Sequence, residues 1–178
     1  MRKLITIYGL ISGAIIAAGA SLSLAFTSDS EHLAGLEWLG YAVMIIAFSV
    51  IFVAVKSYRD RELGGVIRFG TAFKVGIGVT LVASLIYVVA WEVNLSVTNF
   101  AFMEEYTRSL IEAKQASGAS EAEMADYRAE MDVMKERYND PLFRLPITFL
   151  EIFPVGLLIT LISAAVLRNS RVLPAAGQ

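Results

Sequence analysis

Apolar positions in this chain fall in long, nearly unbroken runs, without the alternation of a half-buried strand or the narrow stripe of a soluble helix. Four runs stand out, at residues 4–26, 38–55, 73–91 and 147–167. A helix crossing a bilayer core of about 30 Å needs about 20 predominantly apolar residues, and each run meets that requirement. The first two contain no charged residue; the third has Lys74 beside its start, and the fourth has Glu151. The pattern predicts an all-α protein, a four-transmembrane-helix bundle forming one integral membrane domain over residues 1–178.

The polar stretch between the third and fourth runs changes period. Phe100, Met103, Thr107, Leu110 and Ile111 recur at helical spacing within 98–118, and Gly118 is a suitable C-terminal stop. Ser120-Glu121-Ala122-Glu123 is a capping box, in which serine and glutamate satisfy orphan backbone donors at a new helix start. Met124, Tyr127, Met131, Met134 and Tyr138 follow at heptad spacing until Asn139-Asp140-Pro141 ends the run. Residues 98–140 are therefore predicted to form an antiparallel helical hairpin. Its Met/Tyr stripe reads first as the seam between the two helices. A partner-docking face is the sharper reading, because methionine surfaces adapt to varied ligands.

Lysine and arginine set the direction of the chain. Arg2 and Lys3 precede the first run; Lys56, Arg59, Arg61 and Arg68 lie between the second and third; Arg168 and Arg171 follow the fourth. The loop 27–37 has no basic residue and carries Asp29, Glu31 and Glu37. Both termini and the 56–70 loop are thus expected in the cytoplasm, with the hairpin outside as an extracytoplasmic insertion. Long segments cross largely regardless of charge, so the hairpin's own basic residues do not oppose this. Trp38, Tyr41, Tyr87 and Trp91 suit an outer aromatic belt and Tyr58 an inner one. Arg2-Lys3, the apolar core and Ala18-Gly19-Ala20 also resemble a signal peptide, but the apolar run continues to Phe26, which suits a full span better.

Composition removes several chemistries. Apolar residues make up 56% of the chain and charged residues 18%, too little polar surface to cover a soluble fold of this size. With no cysteine there is no disulfide or thiolate metal site, and the single histidine, His32, makes neither a zinc site nor a catalytic dyad. The near-neutral net charge gives no case for nucleic acid, and no phosphate loop or nucleophile elbow is present. No enzymatic activity and no cofactor are expected.

A few positions within the runs need an explanation. Gly9, Gly13, Ala17, Ser21 and Ala25 form a small-residue ridge, and Gly76, Thr80 and Ser84 repeat the device in the third run. Small residues let helices approach closely in lipid, so the ridges read as packing within the bundle, with homo-oligomerisation as the second reading. Lys74 can snorkel to the headgroups, or join Lys56, Arg59, Arg61 and Arg68 in a cytoplasmic basic collar that contacts anionic lipid. Glu151 lies roughly 6 Å inside the outer end of the fourth run at about 1.5 Å per residue. Three residues on, Pro154 leaves the Leu150 carbonyl without its helical donor. Glu92 and Glu37 belong to the same outer level, and three carboxylates there form a candidate cation or proton site. The plainer reading pairs Glu151 with Arg144, or holds it protonated against a neighbouring helix.

The same positions carry a resemblance. Gly35-Leu36-Glu37-Trp38-Leu39-Gly40-Tyr41, Met44 through Ser49, Lys56-Ser57-Tyr58-Arg59-Asp60, Gly64 through Gly76, Tyr87 through Glu92, and Thr148 through Gly156 are similar to the bacterial membrane family known as domain of unknown function 4199. The likeness runs nearly end to end and includes Glu37, Lys74, Glu92 and Glu151. It implies an uncleaved, four-span inner-membrane protein and brings no catalytic residue. The expectation is an accessory or interaction protein of the cell envelope, embedded in the lipid bilayer, with a protein partner at the hairpin. The alternative is a small transporter or channel subunit using the outer carboxylates.

Overall fold

The computed structural model describes the backbone of residues 1–26 and 33–175, and the side chains of residues 1–22 and 38–175. His32 and the Glu37 side chain lie outside the described residues. Six helices are present among them: α1 (Arg2–Phe26), α2 (Leu33–Glu62), α3 (Phe69–Val97), α4 (Ala101–Ala116), α5 (Glu121–Asn139) and α6 (Pro141–Leu167). Four helical segments are long and apolar enough to cross a membrane, Arg2–Leu22, Trp38–Glu62, Phe69–Val97 and Pro141–Leu167.

Helices α2 and α3 pack together and each also packs on α1 and α6, so α1 and α6 occupy opposite corners of a rhombus. The centre is filled by Phe48 and Ile51 of α2, Val75, Val79 and Ala83 of α3, and Ile152 and Ala164 of α6. The outside is equally apolar: Leu10, Ile46, Leu85, Val89 and Leu158 are all exposed. A soluble bundle would put charges there, so this apolar exterior calls for lipid as its solvent.

Small residues set how closely the helices approach. A Cβ added at Gly9 would lie 2.6 Å from Val82, and one at Gly13 would lie 2.7 Å from Ile86, so this part of the α1 ridge seats side chains of α3. Ala17 is half-buried on the same helix. Gly76 of α3 faces Thr160 of α6, and Gly156 of α6 faces Thr80 and Phe48. Hydroxyls bind at these close approaches: Ser12 donates to the Ala47 carbonyl at 2.9 Å, and Thr80 and Thr160 share a 3.0 Å hydrogen bond.

Three spanning helices run past the ends of their apolar segments. Helix α2 continues to Glu62 because Lys56 and Asp60, one turn apart, pair on its surface. Helix α3 continues past Trp91 to Val97 because tertiary partners take its polar residues, Arg144 pairing with Glu92 and Ser21 bonding Asn94. Helix α6 begins at Pro141, ahead of the expected start, because Asp140 caps it by accepting from the Leu142 N–H at 2.9 Å. A proline in the first turn loses no helical hydrogen bond.

Helices α4 and α5 pack on each other as a hairpin and α5 touches α6. Met103, Thr107, Met124 and Met131 are buried in the seam, while Tyr127, Met134 and Tyr138 are half-buried. The capping box forms: Glu123 accepts from the Ser120 N–H at 2.8 Å, and the Ser120 hydroxyl accepts from the Glu123 N–H. Gly118, at φ +83°, closes α4 in the left-handed region that suits glycine. The entry to α4 differs from a helix running unbroken from residue 98. Asn99 and Phe100 both have positive φ, 51° and 60°, and this reversal brings the Phe102 ring to 4.9 Å from Trp91.

Candidate functional site

The end of the bundle next to the hairpin holds a polar cluster centred on Arg144. Arg144, in the first turn of α6, is 3% exposed and must find partners for every donor. Its Nε and one terminal nitrogen bind Glu92 of α3 at 2.7 and 2.8 Å, a bidentate fork. Its other terminal nitrogen donates to the Tyr138 carbonyl at 2.8 Å and to that of Asn139 at 3.3 Å. The guanidinium also lies 5.3 Å from the Phe100 ring centroid and 5.7 Å from that of Tyr138. Phe100 pays for this position in backbone strain, since bulky residues rarely adopt positive φ. Trp91 donates through Nε1 to the Tyr138 hydroxyl at 2.8 Å. Burial pushes that hydroxyl's pKa up. One arginine thereby joins α3, the α3–α4 turn, the end of α5 and α6.

Glu151 lies farther along α6 and is exposed. It accepts from the buried Tyr87 hydroxyl of α3 at 3.3 Å. Arg144 therefore pairs with Glu92, and Glu151 is held by a neighbouring helix. Arg144 and Glu151 are seven residues apart on one helix, about 10 Å along its axis. Arg144 instead extends toward the carbonyls of Tyr138 and Asn139. Two turns of α3 separate the Glu151–Tyr87 contact from the buried Thr80, with Ser84 between them. Ser84 Oγ is buried without a hydrogen-bond partner among the described residues. No group of three potential metal-ligating side chains occurs among the described residues, and the side chain of Glu37 lies outside them.

At the opposite end, the basic residues divide. Lys56 pairs with Asp60, which also accepts from Arg59 Nε at 2.7 Å. Arg59 is fully buried, and its remaining donors clasp the tail, binding the Val172 carbonyl at 2.9 Å and that of Leu173. Its position near the last carbonyl groups of α6 complements the helix dipole. Arg61, Arg68 and Lys74 are exposed. The sequence placed Tyr87 in an aromatic belt and Tyr138 in the hairpin stripe, offered Glu151 as the partner of Arg144 where the structure has Glu92, and did not reveal the Arg59 clasp. A lone Asp immediately after Arg59 was the one local signal of a buried arginine there.

These features define an all-helical bundle whose four apolar helices mark a multi-pass membrane protein, braced at one end by an arginine clasp. The family described as protein of unknown function (DUF4199) matches residues 7–169, and the chain belongs to it. No curated protein and no solved structure matches the chain.

Proposed function

We propose that this is a non-enzymatic accessory protein of the bacterial inner membrane, with both termini cytoplasmic and the α4–α5 hairpin presented outside to a protein partner. The observation that carries the reading is the Arg144 clasp. A hairpin fixed to the bundle by Arg144, which Glu92 holds in place while it binds the Tyr138 and Asn139 carbonyls of α5, and by the Trp91–Tyr138 hydrogen bond is a preorganised surface. Its outward positions, among them Glu105, Arg108, Glu112 and Arg128, are exposed and charged. The clustering of Arg2, Lys3, Arg61, Arg68 and Arg168 at the other end supports the orientation.

The test is photo-crosslinking in cells. A photoreactive residue at Glu112 or Arg128 should trap a discrete partner band that disappears with Arg144→Met. Bands that are absent, or that survive loosening of the hairpin, would count against the reading. Transport is kept as a second reading on one observation, the buried Ser84 hydroxyl, without a hydrogen-bond partner among the described residues, between the Glu151–Tyr87 contact and Thr80. In that reading Glu151→Gln abolishes cation- or proton-coupled flux in vesicles. A wild type without flux or cation binding removes it.

A further inference from the structure

Two adjoining open surface depressions lie along α1 and α2 at the basic end of the bundle. Both are lined by Tyr8, Ser57 and Arg61, so they form one groove. Lys56 and Asp60 line its first part, and Lys3 and Glu62 its second. Ala175 of the tail also lines the groove, and Arg59 fixes the tail nearby through the carbonyls of Val172 and Leu173. The groove is open, and two helices and the clasped tail line it.

Its chemistry is split along the helix axis. At the basic end, Lys3, Lys56 and Arg61 face Asp60 and Glu62, leaving one net positive charge. Lys56 is committed to Asp60, whereas neither Lys3 nor Arg61 has an ion-pair partner among the described residues. Ser57 and Tyr8 add hydroxyls at the same level. Farther along, the walls become apolar: Ile7 and Ile11 of α1, and Val53 of α2, all exposed on the surface that calls for lipid. A guanidinium and an ammonium without ion-pair partners among the described residues, beside exposed apolar side chains, complement an amphiphile with an anionic head.

We propose that this groove binds an anionic glycerophospholipid, its phosphodiester on Arg61 and Lys3 and an acyl chain along Ile7, Ile11 and Val53. Guanidinium forks recognise phosphate oxygens in two-point contacts, and basic pockets between membrane helices hold anionic headgroups. Ser57 and Tyr8 are placed to bond the glycerol and phosphate oxygens. The proposal rests on the chain being embedded in a bilayer and does not depend on a partner at the hairpin.

Native mass spectrometry of the full-length protein in an uncharged detergent tests it, with phosphatidylglycerol, phosphatidylcholine and soluble glycerol phosphate as probes. Wild type should retain phosphatidylglycerol in preference to the other two. Lys3→Gln/Arg61→Gln should weaken that retention roughly thirtyfold, from about 1 kcal/mol for each basic side chain neutralised. Ser57→Trp keeps every charge but fills the groove, and should lose the lipid as well. Arg68→Gln/Lys74→Gln removes two exposed charges outside the groove and should leave binding unchanged. Circular dichroism verifies that each variant is folded. Equal retention of phosphatidylcholine, retention by both groove variants, or an equal drop in the Arg68/Lys74 variant would overturn the assignment. Retention of glycerol phosphate as strong as that of the lipid would replace it with a plain phosphate site.

Discussion

Replacing Glu92 with glutamine tests the arginine clasp at its charged partner. The substitution keeps the shape of the side chain and removes one charge. Arg144, 3% exposed, is left as a buried guanidinium facing neutral carbonyls and an amide. Removing one partner of a buried pair costs about 3–5 kcal/mol. Glu92 retains 30% of its side-chain exposure, so solvent screens part of the interaction and the lower end, about 3 kcal/mol, applies. For a chain of this size, at about 2–4 °C per kcal/mol, the melting temperature in detergent should fall by about 6–12 °C. Arg144→Met should cost a similar amount. The double variant should be less destabilised than the sum of the two, because the unpaired charge is gone. Hydrogen exchange should locate the loosening at the α3–α4 turn and the α5–α6 junction, leaving Phe48, Ile51 and Val79 protected at the bundle centre. Strictly additive single effects, or a Glu92→Gln variant as stable as wild type, would refute the clasp.

Other parts of the structure make separate predictions. Gly13→Leu should destabilise the bundle by about 1–3 kcal/mol, because a side chain there meets Ile86, whereas Ile15→Leu at a half-buried site should change detergent melting far less. Met131→Asp should cost at least about 2 kcal/mol and speed hydrogen exchange across α4 and α5, whereas Asp132→Ala, which is exposed, should leave exchange unchanged. The Ser120 backbone and hydroxyl donors hold the Glu123 carboxyl below its ordinary value of 4.5. The cap's contribution is therefore complete above that value and is lost as pH falls through the lowered one. The α5 amides of wild type should lose exchange protection over that acid range, and Glu123→Gln should flatten the dependence.

Much of this architecture was legible in the chain because lipid is a severe solvent. A spanning helix must present about 20 apolar residues whatever its neighbours do, so all four spans show without tertiary information. The Ser120–Glu123 cap and the Gly118 stop are likewise local, each satisfied by residues within one turn. Pairing across helices is not local. Glu92 looks like the end of α3 when read by hydropathy, yet Arg144, 52 residues away, satisfies it and the helix continues to Val97. The same blindness hid the reversal at Asn99 and Phe100, where the backbone is strained and Phe100 packs on Arg144. It also hid Arg59, whose position in a basic run suggests solvent, although its partners come from the far end of the chain. The outer carboxylates shared a level by sequence. In the structure, Glu92 and Glu151 have different partners on α6 and α3, a distinction only three-dimensional placement reveals.

The central claim is a four-span protein with its basic end in the cytoplasm and its hairpin outside. Single cysteines test it directly, since the chain has none of its own. Ser117 in the hairpin and Ser170 beyond α6 are both exposed, and α6 is the one spanning helix between them. An impermeant thiol reagent added to sealed spheroplasts should label Ser117→Cys and spare Ser170→Cys until the membrane is lysed, when both react. Labelling of both before lysis would show that α6 does not cross the membrane. Labelling of Ser170→Cys alone would invert the protein and contradict the account.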